Sequence, residues 1–180
     1  MLPTSSGGRA GGVRLSEQFV CAICGKEHLG LPTDWAYKLP DELWAIPEPE
    51  RKEVARFNND LCEWGDRRFI RAVLEIPFTD QEGFFGWGAW AEVELPTYER
   101  YYALYDEDGS SEPQKAGSLA NRLPAYAFDT LGHPVLIQFR DAAKRPSLIL
   151  AADDFSALAT EQRRGIDVRR YHEILDAIGA

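Results

Sequence analysis

Sulfur and imidazole are scarce in this chain, whose 180 residues include three cysteines, one methionine and three histidines. An odd trio of cysteines cannot form a disulfide framework, so a cross-linked secreted scaffold is excluded and a reducing, cytoplasmic setting is expected. Long apolar runs are missing as well. Nothing approaches the ~18 residues of a membrane helix, and the opening MLPTSSGGRAGGVRLSEQF has no apolar stretch of the secretory-signal kind. Positive charge is in deficit: 20 lysines and arginines face 29 acids, for a net charge of −9. Nucleic-acid binding by counterion release needs a basic face, so this balance argues against it. Arg163, Arg164, Arg169 and Arg170 form the densest basic stretch. The first two read as the end of a helix before Gly165, where cations suit the macrodipole. Catalytic signatures are also missing: there is no phosphate loop, no Gly-x-Ser-x-Gly and no His-Glu-x-x-His.

What is present is a foldable composition, 44% hydrophobic and 27% charged, which rules out a disordered chain. Residues 1–15 read as a tail of Gly, Ser and Arg, and 16–180 as one domain that includes a knuckle at 19–32. A turn or short helix is expected over 33–39, broken by Pro40, and a surface helix over 48–57 with Pro49 at its start. The middle is the most legible part. Strands are expected at 61–64, 68–78 and 84–95, the first two joined by Gly65-Asp66. Alternation sets Ile70, Ala72, Leu74 and Ile76 against Ala91, Ala89, Trp87 and Phe85 on the core face. A helix over 97–105, an acidic loop over 106–114, a short strand over 117–123 and clearer strands over 135–140 and 147–151 follow. Helices over 155–164 and 168–178 finish the chain, the second with Val168, Tyr171, Leu175 and Ile178 as its core stripe. Turn-linked strands with helices at the ends predict an α+β fold, a mainly antiparallel sheet with flanking helices.

Cys21-Ala-Ile-Cys24-Gly25-Lys-Glu-His28 is the strongest local signal. Two thiolates at this spacing suit one Zn²⁺ in a tight turn, with Gly25 letting the backbone turn back. His28 is close enough to be a third ligand, and Cys62 is the fourth if its strand passes beside the knuckle. A closed Cys₃His set is a structural site, not a catalytic one. A redox pair and three inert, buried thiols are the alternatives, although no βαβ unit precedes the motif as redox pairs usually require.

The other polar features are weaker. The acidic loop at 106–112 lacks the ligand alternation of a calcium loop and reads as a solvated turn. His133 reads as a turn residue and His172 as the edge of a core helix. The outer face of the central hairpin is the expected binding surface. There Gly86 and Gly88 oppose Glu75 and Val73, and Trp90 opposes Arg71. Two glycines in one strand need a reason, such as a bulge or the approach of a second backbone or ligand. Arg71 and Trp90 are side chains common among interaction anchors. The alternative is a helix covering this face, with Trp90 as ordinary core.

Over about residues 19–174 the chain resembles the bacterial domain-of-unknown-function family numbered 2199. The carrying segments are Cys21-Ala-Ile-Cys24-Gly25 with His28, Asp60-Leu-Cys62, Phe69-Ile-Arg71, Phe85-Gly-Trp87-Gly-Ala-Trp90, Leu119-Ala-Asn121, Arg145-Pro146 and Leu158-Ala-Thr-Glu161-Gln162. Ser156 and Ala157 stand where the family pattern has His-Pro, so no histidine there serves as ligand or base. The resemblance implies no activity, but it places Cys21, Cys24, His28 and Cys62 in family motifs, as zinc binding requires. The expected function is a zinc-stabilised binding module for a protein partner, of a partner-neutralising, immunity-like kind. The alternative is a hydrolase or transferase whose acid and base meet only in the fold.

Overall fold

The computed structural model describes residues 18–20, 25, 27–29 and 32–179. The chain forms two compact units, Met1–Pro32 and Thr33–Ala180. In the first, β1 (Gln18–Val20) pairs antiparallel with β2 (Glu27–Leu29), setting Phe19 opposite His28 and Val20 opposite Glu27. Gly25, between the two strands, has a φ of 71°, a left-handed conformation that favours glycine. Cys21 and Cys24 lie outside the described residues.

The second unit is built on one long hairpin, β6 (Arg67–Pro77) and β7 (Phe84–Val93). Its register is the expected one: Ile70 pairs with Ala91, Ala72 with Ala89, Leu74 with Trp87 and Ile76 with Phe85. β8 (Lys115–Leu119), β9 (Pro134–Gln138) and β10 (Ser147–Ile149) continue the antiparallel meander. The last strand then returns to the first, Ser147 pairing in parallel with Val73 and the Val73 N–H donating to Pro146 O at 2.9 Å. The five up-and-down strands thus close into a ring. With an odd number of strands the closing pair must be parallel, which accounts for this exception in a mainly antiparallel sheet. Closure also leaves no free edge within the ring.

The same register carries one inner face around the ring. Ala91 sits opposite Leu119, Gly117 opposite Val135 and Ile137 opposite Leu148. All the inward hairpin residues are fully buried, together with Ile137 and Leu119. Each large apolar side chain there contributes roughly 1.5–3 kcal/mol on burial. Two helices complete this core. α4 (Ala157–Arg164) is capped by Ser156, whose Oγ accepts the Ala159 N–H, and α5 (Val168–Ile178) by Asp167, which accepts the Arg170 N–H. Tyr171 lies edge-on to Phe78 and against Phe85, while Tyr126 packs on Trp87. Gln162 extends the ladder of β10 with its side-chain amide, donating to Leu148 O and accepting from Leu150 N, both at 2.8 Å.

Three further strands lie outside the ring. β3 (Asp34–Ala36) pairs in parallel with β7, beside residues 86–88, where a turn or short helix was expected. The expected 48–57 helix stops early: α2 spans Glu48–Val54, and β4 (Ala55–Phe57) turns back onto β5 (Leu61–Trp64). Asn58 makes that reversal, its Oδ1 accepting the N–H groups of Asp60 and Leu61 at 2.8 Å. β5 pairs with residues 67–70 of β6. α1 (Asp41–Trp44) follows Pro40, and α3 (Leu95–Ala103) begins with Pro96 in its first turn.

Candidate binding cleft

The outer face of the hairpin divides into two parts. Over Trp90, the cross-strand partner of Arg71, it is closed. Trp90 is 0% exposed, in a cluster with Leu39, Leu43, Cys62, Phe69 and Ala120. The cover is α1 and the segment leading into it rather than either of the longer helices considered from sequence. Asn121 pins this cover in place: its Oδ1 accepts the Trp90 N–H at 2.8 Å, and its Nδ2 donates to Leu39 O and Asp41 Oδ1. The indole Nε1 of Trp90 donates to Tyr37 O. Trp90 is therefore core, and of the two expected anchors only Arg71 faces a cleft. Gly88 has a local reason in the same region. A Cβ there would stand 3.0 Å from the Ala36 Cβ and 3.3 Å from its Cα, so the glycine admits the close approach of β3.

Arg71 emerges half-buried where the outer face opens into a cleft of about 500 Å³ lined by Lys38, Trp44, Glu48, Arg51, Lys52, Phe57 and Arg71 among others. Local chemistry builds this wall. Arg51, itself buried, donates through Nε and Nη2 to the carbonyls of Leu43, Trp44 and Ile46, satisfying the C-terminal end of α1. Its guanidinium carbon lies 4.3 Å from the Trp44 ring centroid, and the Lys38 ammonium 5.5 Å from the same ring. Lys52 pairs with Glu48 at 2.7 Å one helical turn away. Four cations thus line the cleft with one carboxylate, in a chain of net charge −9. Among the described residues Lys38, Arg51 and Arg71 have no carboxylate partner.

Arg71 is the least satisfied of these. Its Nη1 makes one long bond of 3.3 Å to Asn59 O, and its Nε is buried without a partner. Burial, then the nearby Arg145, pulls its pKa below the ordinary guanidinium value, with Asp60 opposing. Asp60 is occupied elsewhere. Its Oδ1 receives Arg145 Nε at 2.6 Å and its Oδ2 the Tyr105 hydroxyl at 2.8 Å. These residues line a second cleft of about 280 Å³, where Lys144 is also paired with Asp141. Each cation of that cleft, Arg140, Lys144 and Arg145, is paired with a carboxylate, unlike Lys38, Arg51 and Arg71.

Two other polar groupings bear on catalysis. His133 Nε2 lies 2.6 Å from Asp154 Oδ2, a contact joining two loops. Burial pushes the Asp154 carboxyl up, but the Ser156 N–H and His133 together hold it below its ordinary value. Tyr126 donates to Glu161 Oε2 at 2.7 Å while Arg170 pairs with Glu161 Oε1 at 2.6 Å. Neither grouping lines the two clefts just described. His172 is buried on α5.

Of the expected metal ligands, Cys21 and Cys24 lie outside the described residues, and the β1–β2 register sets the His28 backbone opposite Phe19. Cys62 is 0% exposed inside the Trp90 cluster, and burial pushes its thiol up to about 12. Among the described residues no three His, Cys, Asp or Glu side chains are grouped to hold a metal ion, and no helix is long and apolar enough to cross a membrane.

A ring-closed α+β domain with paired charge in one cleft and unpaired cations in another defines a class of architecture with a candidate ligand site. The chain belongs to the family described as uncharacterized protein conserved in bacteria (DUF2199), which matches residues 20–166. No curated protein and no solved structure matches it.

Proposed function

We propose that this chain is a binding module without catalysis of its own, working through the outer face of the hairpin at Arg71. The observation that carries this reading is the cluster of uncompensated cations around Arg71, beside a half-exposed Trp44, on an otherwise acidic protein. Carboxylates that could serve as acids are instead committed to arginines, as Asp60, Glu75, Glu92 and Glu161 are. A partner-neutralising role is one form of such a module. Structural Zn²⁺ belongs to the same proposal: Cys21, Cys24 and His28 hold it, while Cys62 stays in the core. Binding of that metal is coupled to folding of the knuckle.

The test compares what the native chain and Arg71→Gln carry with them from a bacterial lysate, by mass spectrometry of bound proteins and metabolites. Loss of a bound species in a variant that melts normally supports the reading. Equal recovery, or chemical conversion of the bound species by the native chain, contradicts it. Elemental analysis of protein never exposed to chelator checks the metal. About one zinc per chain is expected, and less than about a tenth contradicts the site.

A hydrolase or transferase reading has one observation in its favour, the His133–Asp154 contact. It is weakened because Asp154 also caps the loop before α4, its Oδ1 accepting the Ser156 N–H at 2.8 Å. His133→Gln without effect on any conversion of the bound species would remove it.

A further inference from the structure

We infer that the cleft at Arg71 binds a small organic polyanion, a phosphate ester or a polycarboxylate. This deepens the proposed binding role and rests on it. The cleft is about 500 Å³, within the range of small-molecule sites. Its charge sets the ligand's sign and valence. Lys38, Arg51 and Arg71 lack carboxylate partners among the described residues, while Lys52 is already paired to Glu48. A single negative charge leaves most of this field uncompensated, so two or more are called for.

The four cations have different roles. Arg51 is fixed by four bonds to the carbonyls at the end of α1 and supplies field rather than reach. Lys38 is held only by the Trp44 ring and is free to turn toward an anion. Arg71 has a buried, unpartnered Nε and one weak bond from Nη1. An anion that draws its guanidinium into the cleft therefore breaks little and completes a charge-assisted pair. Trp44 is 49% exposed and Phe57 36% exposed. Large aromatic surface beside unpaired cations suits the organic part of such a ligand.

The experiment is calorimetric titration of the full chain at low salt with ADP, citrate, adenosine and a Glu-rich peptide, repeated with Lys38→Glu and Arg71→Gln. ADP or citrate should bind with a dissociation constant below about 1 mM, and adenosine should not bind. Lys38→Glu should weaken the anion at least tenfold, as should Arg71→Gln, with both variants melting as the native chain does. Lys38 is a surface side chain, so its reversal reports on the cleft even if Arg71→Gln fails to fold. Preference for ADP over citrate assigns the phosphate class, and the reverse assigns the polycarboxylate class. No response to either anion, unchanged affinity in Lys38→Glu, or binding of the peptide alone overturns the assignment. Phosphorus NMR of the same samples separates this site from the non-catalytic reading. Binding with release of inorganic phosphate refutes only the absence of catalysis, whereas intact ADP with binding of neither anion refutes only the site.

Discussion

The two faces of the β6–β7 hairpin share a backbone and differ in nearly everything else. The inner face carries Ile70, Ala72, Leu74 and Ile76 against Phe85, Trp87, Ala89 and Ala91, all fully buried and continuous with the rest of the ring. The outer face alternates Arg71, Val73 and Glu75 with two glycines and a tryptophan. Over Trp90 it is sealed by α1, and beside Arg71 it borders a cleft lined by residues of α1 and α2. The inner face shows what a strand pair does for stability. The outer face shows how the same pair, with its packing already provided from within, leaves residues such as Arg71 unsatisfied. An unpartnered cation is tolerable there because the inner face holds the hairpin without it.

The contrast breaks most visibly if the faces are truncated in turn. Leu74→Ala should lower stability by about 2–5 kcal/mol, the range for emptying a close-packed core. Arg71→Gln should change it by less than about 1 kcal/mol, since it removes a charge that makes one weak bond. Urea midpoints at constant m-value measure both, and similar losses would contradict the division.

The sealed part of the outer face has its own weak point. Asn121→Ala should cost about 2–3 kcal/mol, because it leaves the Trp90 N–H and Leu39 carbonyl buried and unpaired. A loss under about 0.5 kcal/mol would mean that the cover is not pinned there. A finer comparison uses the two glycines. Gly88→Ala should cost about 1–2 kcal/mol by pushing β3 away. At Gly86 an added Cβ meets Val73 Cγ1 at 3.4 Å and Asp34 Cβ at 3.7 Å, so Gly86→Ala should be neutral within about 0.5 kcal/mol.

How much of this was legible in the sequence follows from what each signal depends on. The hairpin register was readable because alternation with period two is a local consequence of one buried face. The helix over 168–178 was readable for the same kind of reason, a single apolar stripe with Asp167 as cap. Ring closure was not, since β10 meets β6 at one long-range pair, Ser147 with Val73, that leaves no local pattern. The cover over Trp90 was also hidden. α1 has only four helical residues, and it is held by Asn121, about 80 positions away along the chain. Arg71 was singled out by its place opposite Trp90, yet its cleft is lined by residues of α1, α2 and the Asn58 turn. Lys38, Trp44 and Arg51 belong to no common motif, and only the fold brings them together.

A pH-dependent contrast concerns Cys62. Its thiol, with an ordinary value of 9.0, is raised to about 12 by burial. A raised folded value contributes stability that is complete below about pH 9 and is lost as pH climbs toward 12, because the unfolded thiol ionises first. Cys62→Ala should flatten that alkaline decline, measured by urea unfolding from pH 8 to 11. An unchanged slope would show that the thiol is not held neutral in the core. Zinc content of the same variant tells whether Cys62 also serves the metal.

The most direct test of the account is a ¹H–¹⁵N NMR titration of the full chain with ADP and, separately, citrate. The expected result is that one of them shifts the Trp44 indole signal and the amides of Lys38, Asn58, Asn59 and Arg71, while the indole signals of Trp87 and Trp90 stay in place. Shifts centred on His133 and Asp154, or no shifts with either anion at millimolar concentration, would contradict it.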